Sequence, residues 1–151
     1  MSHLKIAICT WDVSENFSTT ESFYQKLLSI TETQLQKGMQ IVLFPEYTGA
    51  ALLSHPHYQK NGPQKLALDF WKDFAPQVQK LSKKHKALLC LGTAPYFNSK
   101  TKKTQNRAVI YASGKEILYS KQALTPWEKS FECGKKCITF QWSGLTIAPL
   151  I

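Results

Sequence analysis

The sequence predicts a layered α/β or α+β body, and three observations carry that reading. A short alternating run, Leu4 to Cys9, precedes a stretch of helical period, which leads into a continuous apolar run, Ile41 to Phe44. Strand, helix, strand in that order is the signature of a parallel sheet with a right-handed crossover. The pattern then repeats through an apolar-periodic stretch over residues 67–81 and an apolar run from Ala87 to Gly92. The order is β-α-β-α-β followed by a β-meander.

Each element has its own warrant. Ile6 and Ile8 set the alternation of the first strand. Ser18-Thr19-Thr20-Glu21 has the form of a capping box, the serine accepting from an orphan amide and the glutamate reaching back. The helix it opens should run to about Gln36, with Phe23, Leu27 and Ile30 on its apolar face and Tyr24, Leu28 and Leu35 beside them. Gly38 suits the left-handed residue after its end. Ile41 to Phe44 does not alternate, as expected of a strand covered on both faces.

A loop holding Pro56, Gly62 and Pro63 should follow. Ala67, Phe70, Trp71, Phe74, Val78 and Leu81 keep helical spacing, and Pro76 must break or restart that helix, most comfortably in a first turn. Beyond the strand Ala87 to Gly92, residues 98–104 read as a polar turn. Arg107 to Tyr111, Lys115 to Tyr119, Cys137 to Trp142 and Leu145 to Ile151 read as strands, joined through Ala112-Ser113-Gly114 and Ser143-Gly144.

With 151 residues, 43% hydrophobic and 12% aromatic, the chain can bury one core. Its last segment, Leu145 to Ile151, is apolar with no polar tail after it, so residues 1–151 are expected to form the N-terminal portion of a single larger domain. The formal charge of +9 invites a nucleic-acid reading. The lysines argue otherwise: Lys83, Lys84 and Lys86 sit at an expected helix end, Lys100, Lys102 and Lys103 in a hairpin turn, and Lys135 and Lys136 in another. No nucleic-acid partner is expected.

There is no signal-peptide pattern and no apolar stretch that would span a bilayer, so a cytoplasmic protein without a membrane partner is expected. Cys9, Cys90, Cys133 and Cys137 should then be reduced thiols. The C-x3-C pair lacks a second ligand pair, and His55 and His57 read as loop residues, so no metal is expected.

The chemistry concentrates in two places. Glu46 closes the run Gln40-Ile41-Val42-Leu43-Phe44-Pro45-Glu46, at the strand end where open α/β sheets place their ligands. Read alone, it is an exposed loop glutamate more readily than a base. Tyr119-Ser120-Lys121-Gln122-Ala123-Leu124-Thr125-Pro126-Trp127-Glu128 supplies a lysine and a second carboxylate, the latter also readable as a surface residue after a Pro-Trp turn. Asn106 and Gly114 before Lys121, and Phe131 to Gly134 after it, complete a recurrent order.

Together these segments resemble the nitrilase superfamily of carbon–nitrogen hydrolases. The resemblance covers the whole chain and implies a four-layer α-β-β-α sandwich, here only its N-terminal part. It also implies roles: Glu46 as general base, Lys121 holding the charge that develops on the substrate, and Glu128 orienting the lysine or the substrate. Tyr47 and Trp127, beside the two carboxylates, are expected to contact substrate, with residues 47–62 forming a pocket wall.

The implied reaction cleaves a small amide or nitrile through a cysteine thioester to a carboxylic acid and ammonia, without metal or organic cofactor, in a homodimer or larger homo-oligomer. The nucleophile is absent: Cys9 and Cys90 lie in apolar strands that suppress thiolate formation, and Cys133 and Cys137 precede the relevant strand. The residue after Ile151 is expected to be that cysteine, and the 151 residues alone to be inactive. The competing expectations are a non-catalytic fragment or pseudoenzyme acting as an interaction module, and a basic nucleic-acid-binding domain.

Overall fold

The computed structural model describes residues 3–12, 15 and 17–151, the side chain of Asn61 excepted. Strands β1 (Ile6–Ile8), β2 (Ile41–Phe44), β3 (Leu88–Asn98), β4 (Lys103–Ala112) and β5 (Lys115–Ser120) form one sheet in chain order. The first three are parallel, with Ala7 opposite Val42 and Val42 opposite Leu89. β4 and β5 run antiparallel. Helices α1 (Thr20–Gln36), α2 (Pro56–Asp69) and α3 (Ala75–His85) fill the connections between the parallel strands.

The period-two alternation of strands sorts the apolar side chains into two cores. Val42, Phe44, Leu89, Leu91, Val109 and Tyr111 face the helices, where they meet Phe23, Leu27, Phe70, Phe74 and Val78. Ile41, Leu88, Ala108, Ile110, Ile117 and Tyr119 face the other side, against Trp142. Ile41 to Phe44 therefore contributes to both cores, which is why it reads as an unbroken apolar run. The described residues supply a helical layer and a sheet of the expected layered architecture.

Several local expectations shift. The cap of α1 is Thr19, one residue later than read, because its partner is Ser22: the Ser22 N–H donates to Thr19 Oγ1 (3.0 Å) and the Thr19 N–H to Ser22 Oγ (3.3 Å). Gly38 does take a left-handed φ of 81°. In β1 the inward residue is Ala7, while Ile6 and Ile8 point to the opposite face and Ile8 stays 81% exposed.

The expected loop around Pro56 is largely helical. A 3-10 helix spans Thr48–Ser54, His55 caps α2, and Gly62 (φ 71°, ψ −179°) breaks α2 so that Pro63 opens its second part. A π-helical turn, Phe70–Phe74, leads into α3, where Pro76 takes a first-turn position as expected.

β3 continues well past Gly92. The register slips between Cys90 and Thr93, and Gly92 adopts φ 71°, so the glycine is a bulge inside the strand. The polar turn contracts accordingly to the few residues between β3 and β4. The last strands are shorter than read: β6 (Phe140–Trp142) and β7 (Leu145–Ile147) pair only with each other, so the expected meander splits into a sheet extension and a separate hairpin.

Candidate active site

The bulge at Gly92 sets the geometry at the end of β2. A Cβ there would collide with the carbonyl oxygen of Pro45 and lie 2.7 Å from Thr48 Oγ1, so only glycine lets the chain leaving β2 lie directly on β3. Thr48 Oγ1 donates to Pro45 O (2.8 Å), and Thr93, first after the bulge, accepts the Tyr47 N–H at 2.9 Å. Tyr47 itself is left-handed, φ 63°. These contacts turn Glu46 across the sheet end rather than away from it.

Lys121 follows the last residue of β5. Its N–H donates to Asn106 O (2.8 Å), and its side chain, 5% exposed, reaches back over the strand ends. There Nζ lies 2.7 Å from Glu46 Oε1, 3.2 Å from Glu128 Oε2 and 3.4 Å from the Tyr47 hydroxyl. Glu128 closes the 3-10 turn Pro126–Glu128 and is 2% exposed at its side chain. Its Oε2 accepts the Thr125 N–H (2.8 Å) and the Thr125 hydroxyl (2.7 Å), and its Oε1 accepts Asn106 Nδ2 (2.8 Å). Asn106 also donates to Glu46 Oε1 at 3.1 Å.

Residues separated by as many as 82 positions thus converge on one ammonium group. Burial alone would lower the Lys121 ammonium, but its hydrogen bonds to Glu46, Glu128 and Tyr47 hold it above the ordinary lysine range. Burial would likewise raise Glu128, yet the donors from Tyr47, Thr125 and Asn106 bring it down to about 2. The pair is ionised.

Glu46 is exposed, its side chain retaining 35% of its surface, in contrast to the enclosed Glu128. Pro45 has already carried the chain out of the core.

Two cavities flank the cluster. One, about 380 Å³, is lined by Glu46, Cys90, Gly92 and Thr93 together with Ile147 and the terminal Ile151. The other, about 350 Å³, is lined by Tyr47, Trp127, Asn106, Glu128 and Phe131. The Tyr47 and Trp127 rings stand 6.4 Å apart at 50°, with Trp127 72% exposed.

Thr93, Thr125 and Gly92 have no site role in the sequence reading, and Gly134 enters it only as the end of the stretch Phe131 to Gly134. Thr125-Pro126-Trp127-Glu128 has the T-x-x-E spacing of a capping box, and an isolated glycine in an apolar strand signals a bulge, so two of these carried a readable sign. Burial raises the thiols of Cys9 and Cys90, in keeping with their reading as poor nucleophiles, although Cys9 lies just past β1 rather than within it.

His55 caps α2 and His57 lies near Asp69, and no cluster of three or more metal-ligating side chains occurs among the described residues. None of the helices there is long and apolar enough to cross a membrane.

No protein-family model and no curated protein sequence matches the chain. Solved structures do. A CN-hydrolase superfamily protein from Xanthomonas campestris superposes with a TM-score of 0.74 at 14% identity, covering 99% of this chain and 53% of its own. A nitrilase-superfamily member of branch 10 from Saccharomyces cerevisiae gives 0.70 at 19% identity, covering 95% and 53%. An amidase from Nesterenkonia sp. gives 0.70 at 15%, covering 99% and 55%. The 151 residues therefore carry the fold of the carbon–nitrogen hydrolase superfamily, over about half the length of the solved structures they match.

Proposed function

We propose that these residues are the N-terminal portion of a carbon–nitrogen hydrolase domain that cleaves a small amide or nitrile through a cysteine thioester. The observation that carries the reading is the Lys121 ammonium, 2.7 Å from Glu46 and 3.2 Å from Glu128, at the sheet end. A thiol hydrolase needs a base for the thiol proton, a cation for the charge appearing on the substrate heteroatom, and the nucleophile. Glu46 serves as base and Lys121 as the cation. Glu128 holds the lysine, and Tyr47 and Trp127 contact substrate.

The nucleophile is proposed to follow Ile151. That residue lines the same cavity as Glu46, so a cysteine next in the chain would enter beside the base. The thiol gives its proton to Glu46 as sulfur attacks the carbon, Glu46 passes that proton to the amide nitrogen, which leaves as ammonia, and the carboxylate so regenerated deprotonates the water that hydrolyses the thioester to the acid. For a nitrile, water is added before ammonia departs. No step requires a metal. Assembly into a homodimer or larger homo-oligomer, and a cytoplasmic location, go with this reading.

Ammonia release from a panel of small amides and nitriles, by protein extended through the residues after Ile151, tests it. Glu46→Gln should lower kcat/KM by about a hundredfold or more without unfolding the chain, because the side chain is isosteric and exposed. Turnover near the parent rate in that variant would remove Glu46 from the mechanism. Extended protein that is folded but inert on the whole panel would instead favour a non-catalytic interaction module.

A further inference from the structure

Residues 129–134 take no part in the proposed chemistry, yet they run as a strap from the turn holding Glu128 back across the sheet. Three backbone bonds fix the strap, each 2.7 Å: Phe131 N–H to Glu128 O, Glu132 N–H to Thr104 O, and Gly134 N–H to Lys121 O. Its ends therefore touch the two residues of the buried ion pair.

The anchoring is specific at two positions. A single oxygen of Glu132, Oε2, accepts from Gln105 Nε2 (2.9 Å), Thr101 Oγ1 (3.1 Å) and Asn98 Nδ2 (3.5 Å), all from the β3–β4 hairpin. Gly134 lies so close to β5 that a Cβ would collide with the carbonyl oxygen of Ser120 and sit 3.2 Å from that of Lys121. Lys121 lies beyond the last ladder residue of β5, and its own N–H goes to Asn106 O. The strap supplies the second backbone tie.

We propose that Glu132 and Gly134 are positioning residues: by clamping the strap to the β3–β4 hairpin and to Lys121 they fix the ammonium between Glu46 and Glu128. Lys121 then keeps its place although residues 122–127 beside it are only partly buried or exposed. The functional meaning of the clamp rests on the hydrolase reading, whereas the clamp itself can be measured without turnover.

The test is peptide-resolved mass spectrometry of lysine acylation by acetic anhydride on the folded 151-residue chain. Glu132→Gln should speed labelling of Lys121 tenfold or more relative to the other lysines, with little change in the urea midpoint, and Gly134→Ala should do the same if it folds. Glu116→Gln likewise takes the charge from an acceptor, here that of the Tyr111 hydroxyl at 3.0 Å elsewhere on the sheet, and should leave Lys121 labelling unchanged. Unchanged labelling in folded Glu132→Gln, or an equal increase in Glu116→Gln, would overturn the proposal. Ammonia release by the extended protein is a separate readout, so either result can fail without the other.

Discussion

Replacing Glu128 by glutamine asks whether its surroundings hold a buried carboxylate ionised. Burial opposes the charge, but donors from Tyr47, Thr125 and Asn106 outweigh it and bring the carboxyl from 4.5 to about 2. That drop is equivalent to roughly 3 kcal/mol of preference for the folded, ionised state. Solvent screening removes little of it, because the side chain is 2% exposed. A group depressed in the folded state binds its proton more readily when unfolded, so its stabilisation is complete above 4.5 and fades as pH falls from there through about 2. Glu128→Gln should therefore cost roughly 3 kcal/mol at pH 7, and its gap to the parent should narrow as the pH approaches 2. With urea slopes of about 1–3 kcal/mol per molar, the midpoint should drop by about 1–3 M near neutrality. Urea titrations followed by tryptophan fluorescence at pH 7, 4 and 3 measure both quantities. A gap under about 1 kcal/mol at pH 7, or one that does not shrink on acidification, would refute the reasoning.

Other substitutions probe the same frame. Lys121→Ala leaves two carboxylates facing each other, one fully buried, and should destabilise by about 3–5 kcal/mol, measured as a lost urea midpoint. Gly92→Ala puts a Cβ against the Pro45 carbonyl in a left-handed residue, so the melting temperature should fall by several degrees even though alanine is the smaller of all possible side-chain additions. Thr93→Val removes the acceptor for the Tyr47 N–H and should cost about 1–3 kcal/mol in chemical denaturation. Thr125→Val deletes the hydroxyl donor to Glu128, which should move the acid limb of the stability profile to higher pH.

What could be read in advance follows from where the information lies. Ile41 to Phe44 was legible because each of its side chains enters a core, and Glu46 because the run it closes ends abruptly. Lys121 and Glu128 were legible through their order in the chain, not through any local property that separates them from other lysines and glutamates. β3 beyond Gly92 was hidden because Gly92 and Pro95 read as breakers, whereas β4 supplies pairing partners all the way to Asn98. The helical turns over residues 48–61 were hidden by a glycine, a proline and two histidines that read locally as loop. Thr93 was invisible for a different reason: its hydroxyl serves an amide 46 positions away. Such a bond exists only once the sheet has formed.

Unequal burial divides the labour between the two carboxylates in the proposed hydrolase. Glu128 is enclosed and satisfied by Thr125 and Asn106, so protonating it would forfeit several charge-assisted bonds at once. It is suited to anchoring the ammonium and unsuited to exchanging protons. Glu46 shares that ammonium and one donor from Asn106, but it remains open to the cavity reaching Ile151. A base must gain and lose a proton in every cycle, and the accessible partner is the one that can do so while the buried one keeps the lysine charged. Exchanging the two roles would demand breaking the Thr125 turn at each turnover, which makes Glu46 the carboxylate whose replacement should abolish chemistry and Glu128 the one whose replacement should chiefly loosen Lys121.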